Sequence, residues 1–109
     1  MPDAELVVHY VPAAIDDLED AVLWYETKRD GLGLRFRSAV IKAEQRLAQN
    51  PGLGAPVVGR SIPRGVRRLR LKRFPYSLFY VNDRQVVVVA VAHDRRRPGY
   101  WKGRVPRPS

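Results

Sequence analysis

The chain contains no cysteine, so disulfide bonds and metal sites built on thiolates are excluded. The absence of cysteine also fits a reducing compartment, and we expect a cytoplasmic protein. No run of apolar residues approaches the roughly 20 that a membrane-crossing helix needs. The acidic N-terminus also lacks the long apolar stretch of a signal peptide. We therefore expect no membrane association, no metal and no other cofactor.

Acidic residues are scarce in the second half of the chain. Residues 61–109 hold thirteen lysines and arginines but only two acids, Asp83 and Asp94, whereas residues 1–60 hold seven basic and nine acidic residues. The net charge of +9 is therefore concentrated in the C-terminal half. Such segregation predicts a positive face suited to a polyanion or to an acidic protein. Charge kept for solubility is the alternative, although solubility does not require segregation.

A chain of 109 residues is long enough for one domain with one core. We expect residues 1–109 to form that domain, with residues 1–3 and 105–109 frayed. A β-branched and aromatic stretch, residues 4–10, predicts a short first strand, and Pro12 suits the first turn of a helix.

Two apolar stripes at helical spacing follow. The first predicts one buried helix face at Ile15, Leu18, Val22 and Tyr25, and the second does so at Leu32, Phe36, Val40, Ala43 and Leu47. The segment Asp30-Gly31-Leu32-Gly33 is a turn between the helices rather than a phosphate loop, because it lacks a preceding strand and a lysine. Acids at positions 16, 17, 19 and 20 could form a catalytic carboxylate cluster, but complementing the helix dipole is the simpler account.

Glycine and proline make residues 51–65 irregular, and three strands follow. The first of these, residues 66–74, directs Leu69 and Leu71 to the core and Arg68, Arg70 and Lys72 to the outside. Strands at residues 76–81 and 85–93 come next, and the last is a continuous apolar run that predicts burial on both faces. The order β-α-α-β-β-β predicts an α+β fold, a helix hairpin packed on a small, mostly antiparallel sheet.

With this order established, an ordered set of short motifs resembles the RelE/ParE superfamily, the toxin halves of type II toxin–antitoxin pairs, and lies nearer its ParE-like (plasmid stabilisation protein) branch. The resemblance runs from about Leu6 to Arg104. The residues that carry it are Asp17-Leu18, Trp24-Tyr25-Glu26, Gly31-Leu32-Gly33, Phe36, Asn50-Pro51, Arg67-Arg68, Phe74-Pro75-Tyr76, Phe79-Tyr80, Ala90-Val91, His93-Asp94-Arg95-Arg96, Pro98 and Trp101.

The resemblance implies one of two activities. RelE-like members cleave mRNA in the ribosomal A site, whereas characterised ParE-like members poison DNA gyrase and are not known as nucleases. Either kind is silenced by an antitoxin whose C-terminal segment wraps the toxin. We therefore expect growth arrest, a cognate acidic antitoxin, a toxin–antitoxin hetero-oligomer, and either gyrase or the ribosome with its mRNA as target.

Metal-free RNA cleavage needs a base, cations for the phosphate and an acid for the leaving oxygen. A RelE-like site would here consist of Lys72, Arg95, Arg96 and Tyr100, with His93 as a further candidate. Against it, Tyr100 follows Pro98-Gly99 rather than ending a strand segment, and arginine is a poor base. The motifs also lie nearer ParE. We therefore favour a gyrase poison over a metal-independent mRNA endonuclease, and a protein without enzymatic activity of its own.

Other roles stay open for these residues. The basic strand could bind an antitoxin or target, bind RNA, or form a solvated face. His93 could be hydrogen-bonded into the sheet end or be catalytic, and Tyr100 and Trp101 could cover the sheet or stack on bases. Half-exposed Trp24 could meet a partner helix. A plain nucleic-acid-binding module is a further alternative, although no known signature of one appears. The candidate partner- or phosphate-binding residues are Arg67, Arg68, Arg70, Lys72, Arg73, Arg95, Arg96, Arg97 and Trp101.

Overall fold

The computed structural model describes residues 7–97 and 99–106. Their elements are strand β1 (Val8–Tyr10), helix α1 (Pro12–Lys28), helix α2 (Leu32–Gln49), and strands β2 (Ala55–Pro56), β3 (Val66–Arg70), β4 (Tyr76–Asp83) and β5 (Gln85–His93), followed by a 3-10 turn, Lys102–Arg104. The strands form one sheet in the order β1-β5-β4-β3-β2. Only the β1–β5 pair is parallel, so the α+β, mostly antiparallel prediction is confirmed.

The helix hairpin covers one face of the sheet, which we call the helix face. Phe36, Val40, Ala43 and Leu47 of α2 are buried there and Leu32 is partly buried, as the spacing predicted. The two helices approach closely because Gly33 has no side chain: a Cβ at that position would lie 2.6 Å from the carbonyl oxygen of Val22. The carboxylate of Glu26 accepts the N–H groups of Gly31 and Gly33, so it satisfies the start of α2.

The buried face of α1 differs from the prediction by one position at its start. Ile15 is 43% exposed, whereas Ala14 and Ala21 are buried beside Tyr25. Two alanines let the helix lie close to the sheet, and a search for large apolar residues overlooks them. The dipole interpretation of the acids is also wrong, because the first turn of α1 contains no acid and the dipole effect falls off beyond that turn.

The strand boundaries need three corrections. Strand β1 begins at Val8, and residues 4–6 lie outside the described residues. Strand β3 ends at Arg70 rather than at residue 74, since Arg73 adopts a left-handed φ of 70° in the turn to β4. Strand β4 reaches Asp83, so the turn before β5 narrows to Arg84. The segment expected to be irregular also contains β2, which pairs with β3 through only two residues.

A buried tyrosine fastens the loop after α2 to the sheet. The Tyr80 hydroxyl donates to the carbonyl of Pro51 and accepts the N–H of Gly54, each at 2.8 Å. Arg67 donates to the carbonyl of Gly54 at 2.6 Å and to that of Gly52 at 3.3 Å. These bonds hold residues 51–54 against β3 and β4. Within the described ranges, no helix is long and apolar enough to cross a membrane.

Burial of tyrosines predicts a loss of stability at high pH. Burial, followed by the charge of Glu44 and the hydrogen bond to it, raises the pKa of Tyr10 well above its usual value. The folded chain therefore keeps a proton that the unfolded chain releases near pH 10, so this contribution is complete below pH 10 and is lost above it. Above pH 10, denaturant titrations of Tyr10→Phe should show a decline in unfolding free energy shallower than wild type by up to about 1.4 kcal/mol per pH unit. Equal slopes for the two proteins would contradict the assignment.

Candidate functional site

The sheet has a second core on its far face, the face opposite the helices. Trp101 is buried there and stacks on Phe79 with ring centroids 4.7 Å apart. The other buried residues of this cluster are Val66, Val81, Val89 and Ala90, and Val105 packs against it at the start of the segment expected to fray. The C-terminal segment, residues 99–106, thus lies over the sheet. Residues 107–109 fall outside the described residues.

Asp17 joins α1, the sheet and the C-terminal segment. Its carboxylate accepts the backbone N–H of Val91 at 3.1 Å and the hydroxyl of Tyr100 at 3.4 Å. Arg104 donates to the same carboxylate, with Nη1 2.7 Å from Oδ2, and also bonds the carbonyl of Val89 at 3.1 Å. Asp17 therefore fixes the C-terminal segment by a charge-assisted network. Sequence reasoning noted Asp17 but not this role, because its partners lie more than 70 positions away in the chain.

Tyr100 is held in a protonated, cation-flanked position. The guanidinium carbon of Arg96 lies 4.1 Å from its ring centroid, and that of Arg104 lies 5.1 Å away. Burial, with a further contribution from the charge of Asp17, raises the pKa of Tyr100, while Arg104 and Arg96 oppose the shift. A raised pKa makes the phenol a weaker proton donor at neutral pH, which disfavours it as a general acid.

Part of the positive charge on β3 is neutralised within the chain. Asp94 accepts hydrogen bonds from Arg68 at 3.1 Å and from Arg70 at 2.8 Å. Arg68 also donates through Nε to the buried hydroxyl of Ser77. The predicted alternation of the strand is confirmed, since Leu69 is buried and Arg70 exposed. Arg68 is only half-exposed, so it orders the sheet end as well as contributing charge.

His93 ends β5 as a hydrogen-bonded residue. Its Nδ1 accepts the backbone N–H of Arg95 at 3.0 Å, and its ring meets the edge of Tyr76 with centroids 5.1 Å apart. The hydrogen bond is a local, exposed one within the turn that follows β5.

A cationic cleft of about 630 Å³ opens beside these residues on the far face. One wall is formed by residues 55–60 and 62 and the other by residues 93, 94, 96, 97 and 99–101, and Phe79 and Ala92 also line the cleft. The charged side chains that line this far-face cleft are Arg60, Arg68, Asp94, Arg96 and Arg97. With four arginines and one carboxylate, it is an anion-attracting surface. Arg60 was not among the candidates from sequence because it lies in the irregular loop.

The residues of a RelE-like site do not share one cavity. Arg96 and Tyr100 line the far-face cleft, whereas Lys72 lines a separate groove beside α2. Arg95 lines neither of these two cavities. The other candidates are also dispersed: Arg73 lines the groove with Lys72, whereas the guanidinium of Arg70 is bonded to Asp94 of the far-face cleft. The arrangement offers charge for binding on two surfaces rather than one assembled set for proton transfer.

A helix hairpin on one face of a mixed five-stranded sheet, with a basic cleft on the other face, defines a small toxin domain of the superfamily that the motifs resemble. The chain belongs to the ParE family, because the family model described as "ParE toxin of type II toxin-antitoxin system, parDE" matches residues 8–98. It is therefore the toxin component of a type II toxin–antitoxin system.

The fold is shared with a solved structure described as the chromosomal ParDE TA system from P. aeruginosa. The two chains superpose with a TM-score of 0.63 at 23% sequence identity, over 82% of this chain and 96% of that chain. A search of curated proteins gave no match.

Proposed function

We propose that this toxin poisons DNA gyrase in the cytoplasm and that a cognate acidic antitoxin silences it. The observation that carries the proposal is the ParE family match across residues 8–98. Two features of the site support a non-nucleolytic action. Lys72 and Tyr100 line different cavities. The hydroxyl of Tyr100 donates a hydrogen bond to Asp17, and the pKa of Tyr100 is raised.

The far-face cleft is the proposed contact surface for protein partners. Arg60, Arg96 and Arg97 line it together with apolar residues, a combination that suits an acidic segment carrying some apolar side chains. An antitoxin that is acidic and disordered when free would fold onto this surface and hide its charge. The toxin would then exist in the cell as a hetero-oligomer with that antitoxin.

A ribosome-dependent mRNA endonuclease is the second candidate. One observation favours it: Arg96 lies 4.1 Å above the ring of Tyr100 in a basic cleft, so a cation and a phenol are neighbours. In that case Arg96 would stabilise the phosphate and Tyr100 would transfer a proton.

Expression in cells separates the two candidates. We expect the chain alone to arrest growth, co-expression of the small gene next to it to relieve the arrest, and chromosomal breaks to accumulate. Tyr100→Phe should leave the arrest nearly unchanged. If the phenol transferred a proton, the same variant should lose A-site cleavage by about 10²-fold or more.

The charge of the cleft is tested with a matched pair of variants. Arg96→Gln with Arg97→Gln should weaken the arrest. Arg29→Gln with Arg37→Gln removes equal charge from exposed positions outside the cleft, just after α1 and on α2, and should not. Primer extension on cellular mRNA is the decisive readout. Codon-phased cuts with intact chromosomal DNA would contradict the gyrase proposal.

A further inference from the structure

A second basic surface lies apart from the far-face cleft. It is a groove of about 1000 Å³ between α2 and the turn from β3 to β4, which we call the α2 groove. Six basic residues line it, and among the described residues no acidic one does: Arg35, Lys42, Arg46, Arg70, Lys72 and Arg73. Half of these cations come from α2, in the part of the chain whose charges nearly balance. Their convergence is therefore visible only in the fold.

The acid nearest in sequence to these helix cations does not line the groove. Glu44, the one acid of α2, accepts the hydroxyl of Tyr10 on β1 at 3.0 Å. Of the six cations, Arg70 shares Asp94 with Arg68. The wall formed by α2 therefore keeps its positive charge for an external anion.

We propose that the α2 groove binds the phosphate backbone of double-stranded DNA without regard to sequence. The inference goes beyond the proposed function, because it requires neither gyrase nor an antitoxin. Arg35, Lys42 and Arg46 extend over about 16 Å of helix at a rise of 1.5 Å per residue. Duplex DNA carries one phosphate per 3.4 Å on each strand, so this row of three cations spans the length of about five phosphates.

The surface of the groove suits a phosphate backbone better than an amphipathic helix. Of its apolar lining residues, Ala43 and Leu71 are buried, and Phe74 packs between Tyr25 and Phe36. Leu34, at 68% exposure, is the large apolar side chain there that a partner could cover. A docked helix needs several apolar anchors in a row, and among the described residues the groove does not offer them.

The same lining favours a duplex over a single strand. Proteins that bind single-stranded nucleic acid stack its bases on exposed aromatic side chains. Phe74 is the one aromatic among the described groove residues, and its ring is already packed against Tyr25 and Phe36 at centroid distances of 5.0 and 5.2 Å. A surface with cations but no exposed aromatic side chains can bind the phosphates of a duplex, and such contacts do not distinguish one base from another.

The test is fluorescence anisotropy of the purified full-length chain with a labelled 20-base-pair DNA of mixed sequence, repeated at several salt concentrations. We expect a micromolar to submicromolar dissociation constant at low salt. One phosphate contact for each of the five lining cations other than Arg70 predicts a slope of about −4.5 for the logarithm of affinity against the logarithm of salt concentration. The triple variant Lys42→Gln, Arg46→Gln, Lys72→Gln should reduce the magnitude of that slope by about 2 to 3, close to 0.9 for each cation removed.

The matched control removes the same charge elsewhere. Arg29, Arg37 and Arg64 are exposed and lie outside the α2 groove, so replacing all three with glutamine should leave the slope unchanged. Circular dichroism checks the fold of both triple variants. The single variants Lys42→Gln and Lys72→Gln should each reduce the magnitude of the salt slope by about 1.

Each other outcome would overturn the proposal. Equal losses in the two triple variants would indicate attraction by net charge alone. Tighter binding of the single strand, or of a double-stranded RNA of the same sequence, would assign the groove to another nucleic acid. Displacement of the DNA by polyglutamate at matched charge concentration would assign it to an acidic protein. Gyrase poisoning is not measured here, so failure of this inference leaves the proposed function unaffected.

Discussion

Replacing Trp101 with alanine is expected to lower the free energy of unfolding by about 3–5 kcal/mol, the usual loss for a fully buried aromatic side chain. The indole is 2% exposed and stacks on Phe79 in the far-face core. Because stabilities of small domains are typically about 5–15 kcal/mol, this is a large share of the total. Urea or guanidinium unfolding followed by circular dichroism measures the loss.

The other tryptophan provides the control. Trp24 is 52% exposed on α1, where Lys28 lies over its ring at 4.7 Å. Trp24→Ala should therefore cost less than about 1 kcal/mol. Similar losses for the two variants would show that the C-terminal segment does not pack on the far face. The far-face cleft, which Trp101 helps to line, would then not exist in the form described above.

Asp17→Ala is expected to lower the free energy of unfolding by about 2–4 kcal/mol. The substitution leaves the Val91 N–H and the partly buried Arg104 guanidinium without the carboxylate that accepts from both. Losing one partner of a buried pair costs more than losing a surface pair, because the remaining charge stays desolvated. The side chains of Asp17 and Arg104 are 14% and 24% exposed, so we place the loss below that of a fully buried pair.

Asp16 is the matched control, since it is an exposed aspartate on the same turn of α1. Asp16→Ala should change stability by no more than about 0.5 kcal/mol. The double variant Asp17→Ala, Arg104→Ala should lose less than the sum of the two single variants, because the pair acts together. Strict additivity in that cycle would show that Arg104 and Asp17 do not interact in solution.

The sequence predicted well those features that depend on periodicity. The stripe of α2 and the alternation of β3 follow from spacing alone, because each places a contiguous set of apolar side chains on one side. Strand β5 was predicted to be buried on both faces, and it lies between β1 and β4 as expected. Local patterns therefore predicted the order of the two helices and of strands β1, β3, β4 and β5, but not β2.

Features that depend on distant partners were not predictable in this way. The shift in register between Phe79 and Tyr80 brings both Val89 and Ala90 to the far-face core, which a run of apolar residues does not reveal. From its position in the sequence, Asp17 looks like an acid near the start of a helix. In the fold it accepts hydrogen bonds from Tyr100 and Arg104 of the C-terminal segment. The cations of Arg35 and Lys42 belong to a nearly neutral half, so only the fold brings them next to Lys72.

The sequence predicted a set of basic candidate residues. It did not predict that they are divided between the far-face cleft and the α2 groove. The motif after β5 contains two of the arginines that line the far-face cleft, Arg96 and Arg97. It did not reveal that Lys72 lies in another groove or that Tyr100 is bonded to Asp17. These two facts bear most on mechanism, and both depend on tertiary contacts.

The most direct measurement of the central claim uses purified gyrase, relaxed plasmid, ATP and the purified chain, with the fraction of linear plasmid scored after detergent and protease treatment. We expect linear plasmid to accumulate with increasing chain only when gyrase is present, and the antitoxin to abolish it. Supercoiling that proceeds unchanged at a large excess of folded chain, with no linear plasmid, would contradict the account.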